Sequence, residues 1–346
     1  LANPGGPGGP AADAPPWWAR LHAGAGDIIP LVPAGRTPAM AAAAGHAPPK
    51  SGILVVDKPA GCTSHDVVAA IRRASGERRV GHAGTLDPMA TGVLVVCMGS
   101  ATRVVDEIQA TPKAYRARVR LGVRTDSGDA DGRVVGEHDA AGVTRDAVEA
   151  ALARFRGDIL QTPPMVSAVK HEGRRLYALA RQGIEVERAP RPVTVYALTL
   201  EDWAPPELTL ALRVSKGTYV RTIADDLGEA LGVGAHLTAL RRTAVGPFRV
   251  EAADPLDRVV AAFEGGWWPA LMHPLDAALV DYAAMVVDAP RVAALRHGQQ
   301  VDGPAPGPGA SRLVRVYDAD GQFVGLVAWD PVEARWQPDR IFPGAP

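Results

Sequence analysis

A glycine-rich loop that leads into a short apolar run constrains this chain more than any other stretch. Residues 81–94 read GHAGTLDPMATGVL, and the run continues apolar to Cys97. Glycine permits tight turns, and proline disfavours helix at the residue before it, so Asp87 should be extended ahead of Pro88. The apolar run predicts a buried strand. The stretch therefore predicts either an ordinary Asp-Pro turn or a rigid loop that presents one carboxylate to a ligand.

Length and charge suggest a chain of about two domains with a local basic surface. The 346 residues are 47% hydrophobic and carry a net charge of −1. Between Lys50 and Arg124, however, the chain contains twelve Lys and Arg residues but only six Asp and Glu residues. Such an excess is typical of a surface that attracts phosphate backbones, although an ordinary solvated surface would have the same composition.

The cysteine content of the chain fits a reducing cytoplasm best. Cys62 and Cys97 are the only cysteines, so neither a disulfide framework nor a cysteine-rich metal site is expected. No apolar run reaches the length of a membrane span, and the first fifty residues lack the pattern of a signal peptide.

Composition divides the chain into three parts. Residues 1–50 are rich in Ala, Gly and Pro and are expected to be a disordered extension. Residues 51–280 alternate between helix and strand patterns and are expected to form one domain. Two apolar runs flank Asp318-Ala319-Asp320-Gly321, which predicts a hairpin in a small all-β domain at residues 281–346.

A strictly alternating segment, YRARVRL at residues 115–121, predicts a strand with apolar residues on one face and arginines on the other. The next segment, TDSGDADG at residues 125–132, superficially resembles a calcium loop. Its register fails, because His138 stands where a calcium loop needs a bidentate Glu. A polar turn is therefore predicted.

No nucleotide-binding loop, hydrolase triad or zinc spacing is present, so the candidates for chemistry are polar groups in loops beside strands. One carboxylate among basic and aromatic groups can attack or stabilise an electron-poor carbon without a cofactor. Aromatic side chains among basic groups also suit a base held out of its stack. These groups are Asp87, His82, Tyr115, Tyr219, Lys58 and Arg221.

Four segments give the chain a more specific resemblance. They are GILVVDKPAG at 52–61, the loop at 81–94, the alternating strand with its turn at 115–132, and SKGTYVRTIADDLG at 215–228. In this order they resemble the TruB family of pseudouridine synthases, and the resemblance extends to about Phe248. It implies an α+β catalytic domain on a mixed, largely antiparallel sheet with flanking helices. Residues 281–346 resemble more weakly the family's small β-barrel-like (PUA-like) RNA-binding domain.

The resemblance implies that uridine 55 in the T loop of tRNA is isomerised to pseudouridine, with no cofactor and no metal. The expected partner is the T arm of tRNA, and a cytoplasmic monomer is expected. The sequence Pro88-Met89-Ala90-Thr91-Gly92 is similar to the bacterial branch. Two alternatives are a guide-RNA-dependent synthase subunit and a non-catalytic protein that binds or folds tRNA.

Residue by residue, Asp87 matches the catalytic aspartate, which either attacks the ribose or base or stabilises a charged sugar. Arg221 matches the arginine that pairs with it, and this pairing is expected to lower the pKa of Asp87. A surface arginine at a helix start is the alternative for Arg221.

The remaining matches concern the substrate. Tyr115 matches the tyrosine that stacks on the flipped uridine and takes a proton during rearrangement. His82 matches the histidine that fills the space left by the extruded base. Tyr219 and Leu240 match positions that line the uridine pocket. Core packing is the alternative for both tyrosines and for Leu240, and a structural loop histidine is the alternative for His82.

Overall fold

The computed structural model describes residues 28–31, 50–167, 170–171, 173–176, 179, 182–307 and 309–342. The chain divides into two compact units. The larger comprises residues 50–274, and the smaller comprises residues 275–346 together with residues 1–49. The division falls shortly before the boundary at residue 281 that composition suggests.

The larger unit is built on a ten-stranded sheet. Two of its strand pairs are parallel, Thr91–Met98 with Ala235–Val245 and Gly52–Lys58 with Asp254–Pro255, and the others are antiparallel. The predicted mixed, largely antiparallel sheet is confirmed. Its other strands are Val80–His82, Lys113–Leu121, Gly157–Gln161, Arg191–Ala204, Glu207–Val214 and Phe248–Arg249.

The strand Lys113–Leu121 lies between Glu207–Val214 and Ala235–Val245 in this sheet. Ala117, Val119 and Leu121 are buried, and the arginines between them are exposed, as the alternation predicts. The apolar face contributes to a core that also contains Ile223 and Leu227 of the helix Val220–Ala230. This core fixes where that helix begins, next to the loop that carries Asp87.

A second core in the larger unit lies around the helix Ser64–Ser75, where Val67, Val68 and Ile71 pack with Leu94 and other residues of the sheet. The described part of the larger unit also contains the α-helices Val105–Ala110, Arg145–Leu152 and Leu256–Glu264. It contains two small hairpins as well, Val123–Thr125 with Val134–Glu137 and Lys170–His171 with Arg174–Arg175.

The smaller unit contains a five-stranded sheet and the helix Ala289–Arg296. Its strands are Ile28–Leu31, Ala284–Val287, Leu313–Asp318, Phe323–Asp330 and Arg335–Ile341, in that order across the sheet. The predicted hairpin around Gly321 is confirmed, because Leu313–Asp318 and Phe323–Asp330 pair antiparallel.

The expectation of disorder for residues 1–50 is wrong at Ile28–Leu31, which pair in parallel with Ala284–Val287. Average composition hides this short apolar segment, and the partner strand supplies the backbone hydrogen bonds that it needs. Residues 1–27 and 32–49 lie outside the described residues.

In the described ranges, no helix is both long enough and apolar enough to cross a membrane.

Candidate active site

Asp87 lies in the loop between the strands Val80–His82 and Thr91–Met98. Gly92, at the end of this loop, has a φ of +99° and pairs with Arg242 in the neighbouring strand. A side chain at Gly92 would collide with the main chain of Arg242, so only glycine allows the two strands to approach this closely. The glycine thus brings the Asp87 loop against the strand Ala235–Val245.

Arg242 is buried and holds the part of the loop that precedes Asp87. Its Nη2 and Nη1 donate to the carbonyl oxygens of Gly84 at 3.0 Å and Thr85 at 3.2 Å. Its Nε donates to the carbonyl oxygen of Val93 at 2.7 Å, in the strand that follows the loop. A single rigid guanidinium therefore fixes both ends of the loop.

Lys58 is completely buried and holds the part of the loop that follows Asp87. Its Nζ donates to the carbonyl oxygens of Pro59 at 2.8 Å, Pro88 at 3.2 Å and Ala90 at 2.8 Å. Burial lowers the pKa of Lys58. These bonds use all three donors of the ammonium, so Lys58 supports the loop and has no donor left for a substrate.

Arg221, in the first turn of the helix Val220–Ala230, pairs with Asp87 through two nitrogens. Its Nε lies 3.0 Å from Asp87 Oδ2, and its Nη2 donates to Oδ1 at 3.3 Å. The arginine side chain is 3% exposed, whereas the Asp87 side chain is 34% exposed. The guanidinium thus fixes the orientation of a carboxylate that still faces open space.

A second carboxylate, that of Asp129, approaches Arg221 from the opposite loop. Its Oδ2 lies 3.5 Å from Arg221 Nη1, and its side chain is 7% exposed. The hydroxyl of Ser127 donates to its Oδ1 at 2.5 Å. The turn that resembles a calcium loop therefore serves to place a buried carboxylate against Arg221.

Asp87 has a raised pKa, contrary to the expectation that Arg221 lowers it. Burial of the carboxyl is the main cause, and the charge of Asp129 adds to it. Arg221 and Lys58 act in the opposite direction but do not compensate. The expectation was wrong because the sequence shows the arginine but neither the burial nor the second carboxylate.

Asp87 and Arg221 border a cavity of about 540 Å³. Tyr115, Tyr219 and Leu240 line the same cavity. Leu240 is buried, and both tyrosines are half-buried. The structure thus gathers five of the six predicted site residues around a single space that is large enough for a small planar ligand.

Gln161 fixes the backbone of Tyr219, the residue at the N-terminal cap of the Arg221 helix. Its Oε1 accepts from the Tyr219 amide at 2.7 Å, and its Nε2 donates to the Tyr219 carbonyl at 3.0 Å. Burial raises the pKa of the Tyr219 phenol, so it is protonated at neutral pH.

Three sequence profiles cover most of the chain. The N-terminal domain of the TruB family pseudouridylate synthases matches residues 72–220. The tRNA pseudouridylate synthase B C-terminal domain matches residues 221–280, and the C-terminal profile of pseudouridine synthase II TruB matches residues 283–340. The chain belongs to the TruB family.

Curated relatives from this family cover 80–86% of this chain. A tRNA pseudouridine synthase B of Burkholderia mallei is 45% identical over 80% of this chain and 92% of its own. One from Xanthomonas campestris is 43% identical over 86% and 95%. A solved Cbf5-Nop10-Gar1 complex is similar at a TM-score of 0.67 and 28% identity, covering 85% of this chain and 86% of the solved one.

His82, the remaining predicted residue, is not among the residues that line the cavity. It ends the strand Val80–His82, and its Nδ1 is buried with no hydrogen-bond partner. Burial first, and then the charges of Arg242 and His65, lower its pKa. The ring is therefore neutral at neutral pH.

The predicted basic surface of this TruB family member is only partly neutralised. Arg116 pairs with Glu201 at 2.8 Å and Arg124 with Asp225 at 2.9 Å. Four other arginines are exposed at the end of the helix Ser64–Ser75 and in the connection towards Asp87: Arg72, Arg73, Arg78 and Arg79. No group of three or more His, Cys, Asp or Glu side chains in the described part of the chain could hold a metal ion.

Sequence reasoning missed two residues of this site, Asp129 and Arg242. Asp129 lies in the turn at residues 125–132, which is predicted only as a polar turn and, as part of residues 115–132, as a segment of the family resemblance. Arg242 follows Arg241, and the pair suggests a basic surface. Strand alternation was the available signal, because it turns Arg241 towards Asp57 at 2.7 Å and Arg242 into the core.

Proposed function

We propose that this protein isomerises uridine 55 in the T loop of tRNA to pseudouridine. The single observation that carries the proposal is the Asp87 carboxylate, oriented through two nitrogens of Arg221 at the edge of a cavity. The TruB family membership and the relatives that carry the name tRNA pseudouridine synthase B support it.

The reaction breaks the bond from N1 of uracil to C1′ of ribose and forms a bond from C5 to C1′. The proton on C5 is lost and N1 gains one, so substrate and product are isomers and no redox partner is needed. An ionised Asp87 supplies the negative charge that either attacks the substrate or stabilises a sugar cation. Arg221 holds that carboxylate in one orientation.

The other residues of the cavity act on the base. In the proposed complex, Tyr115 stacks on the flipped uracil, and its phenol oxygen takes up the proton that leaves C5 while the phenol's own proton passes to water. Tyr219 and Leu240 form the walls that exclude water. His82 occupies the place in the T loop that the base has left, and its neutral ring suits that environment.

The surroundings of the site fit an RNA substrate. The exposed arginines between the helix Ser64–Ser75 and the Asp87 loop attract the phosphates of the T arm. We assign the smaller unit an additional RNA contact by its similarity to the family's C-terminal domain. The enzyme is expected to act as a monomer in the cytoplasm.

Two other functions are less well supported. A protein that only binds RNA would not need a carboxylate facing a polyanion, because like charges repel. A synthase that depends on a guide RNA is less well supported, because this chain is more similar in sequence to the tRNA pseudouridine synthase B relatives than to the solved Cbf5 and H/ACA chains. The relatives named tRNA pseudouridine synthase B are 43–45% identical, whereas two solved chains from Cbf5 and H/ACA complexes are 26–28% identical.

The test is incubation of the purified protein with an unmodified tRNA transcript and no other RNA, followed by mapping of pseudouridine. We expect modification at position 55, and none in a transcript with cytidine there. A tRNA that is bound but contains no pseudouridine would contradict the proposed activity, and modification only after addition of a second RNA would favour the guide-dependent alternative.

A further inference from the structure

The cavity beside Asp87 contains a buried hydroxyl without a partner, that of Ser167. The residue is 6% exposed, and its Oγ makes no hydrogen bond within the described part of the chain. A weak hydrogen-bond-like contact with this hydroxyl lowers the pKa of the Tyr219 phenol, but the contact falls short of a full hydrogen bond and leaves the Ser167 Oγ unpaired. A buried polar group left unpaired is costly, and folded proteins retain few of them.

The position of Ser167 is tied to the catalytic pair. The carbonyl oxygen of Val166, the preceding residue, accepts a hydrogen bond from Arg221 Nη2 at 2.7 Å. The same nitrogen donates to Asp87. The Ser167 hydroxyl is therefore held at a fixed place relative to the carboxylate, as a group that contacts the reacting base must be.

Two other hydroxyls that line the cavity, those of Thr218 and Ser215, already have partners. Thr218 donates to the carbonyl oxygen of Ser215 at 3.0 Å. The Ser215 hydroxyl accepts from the amide of Thr194 at 2.9 Å. Ser167 thus differs from these two residues, because its hydroxyl has no partner in the described protein that a ligand would have to displace.

We propose that the Ser167 hydroxyl donates a hydrogen bond to a carbonyl oxygen of the flipped uracil, an inference that rests on the proposed function. Rearrangement requires the detached ring to turn about the axis through N3 and C6, which exchanges N1 with C5 and O2 with O4. A donor that faces one carbonyl before this turn faces the other one after it. Ser167 therefore holds the base in both orientations and exchanges no proton with it.

The first test compares Ser167→Ala with Ser215→Ala, a control in which a paired hydroxyl of the same cavity is removed. Because Ser167 has no partner in the free protein, we expect Ser167→Ala to keep or raise the melting temperature and to lower kcat/KM about tenfold, the size of one hydrogen bond. Ser215→Ala should lower the melting temperature, since it leaves the Thr194 amide unpaired. A destabilised Ser167→Ala with unchanged kcat/KM would overturn the proposal.

The second test replaces the target uridine by 2-thiouridine and by 4-thiouridine, whose sulfur atoms accept hydrogen bonds weakly. We expect at least one replacement to slow the wild type, and Ser167→Ala to be insensitive to that replacement. Equal sensitivity of the two proteins would contradict the contact. The activity of the wild type on a tRNA with unmodified uridine at the target position separates the Ser167 contact from the proposed function. An inactive wild type would contradict the proposed function itself.

Discussion

The two loops that reach Arg221 carry carboxylates in different surroundings. The Asp87 loop is held by two buried cations, and its carboxylate is 34% exposed at the cavity. The polar turn holds Asp129 through its own Ser127, and that carboxylate is 7% exposed and does not line the cavity. The Arg221 guanidinium therefore orients the Asp87 carboxylate, which can contact a substrate. The same guanidinium is oriented by the Asp129 carboxylate, which cannot.

Arg221 lies between these two loops, where it is buried and where all its N–H donors are used. Its remaining donors go to the carbonyl oxygens of Ser127 at 2.9 Å and Val166 at 2.7 Å. All three nitrogens of the Arg221 guanidinium thus have hydrogen-bond or ion-pair partners before substrate binds, which keeps Asp87 in a single orientation.

The largest combined effect is expected from Arg221→Met, which removes the shared partner of both carboxylates. Two partly buried negative charges would then face each other, so the free energy of unfolding should fall by about 3–5 kcal/mol and activity should be lost. Arg221→Lys keeps a charge without the planar fork and should retain part of the activity and most of the stability. Urea unfolding and pseudouridine assays measure both, and wild-type stability in Arg221→Met would contradict the shared role.

The next effect is that of Asp129→Asn, which keeps the shape of the buried side chain and removes its charge. Arg221 loses one of the three groups that hold it besides Asp87, so we expect a fall in kcat of roughly 10- to 100-fold with unchanged affinity for tRNA. Asp131→Asn, in the same turn but exposed, is the control. An unchanged kcat in Asp129→Asn would show that Asp87 and Arg221 suffice.

The sequence predicts features that depend on neighbouring residues better than contacts between residues that are far apart along the chain. The alternation of residues 115–121 is local, and the strand and its exposed arginines follow from it. The pairing of Asp87 with Arg221 is predicted only through the family resemblance, because 134 residues separate them. Asp129 was missed, since nothing in its own turn indicates which arginine the fold will bring to it.

The raised pKa of Asp87 should have a smaller effect, on the pH dependence of activity. This effect distinguishes the role of Asp87 from that of Asp129. Activity requires the ionised form, and burial and Asp129 raise the pKa, so activity should fall on the acid side at a pH above the ordinary value of about 3.9. Asp129→Asn removes one cause of the rise and should move this acid limb to lower pH. A pH profile of kcat in the two proteins measures the shift, and a shift to higher pH would contradict the assignment.

The same raised pKa has a consequence for stability. A carboxyl whose pKa is higher in the folded state makes the folded state bind more protons, so its contribution to stability falls as pH rises from the unfolded pKa through the folded one. At neutral pH the charge of Asp87 is therefore maintained for function at the expense of stability, and removing it should not destabilise the fold.

The most direct test of the account is Asp87→Asn, measured for both tRNA binding and single-turnover pseudouridine formation. The substitution preserves shape and removes the negative charge, so we expect an affinity equal to or slightly above that of the wild type and a melting temperature that does not fall. Pseudouridine formation should drop by at least roughly 10³-fold, below detection. Appreciable conversion of uridine 55 by Asp87→Asn would contradict the claim that this carboxylate carries the reaction.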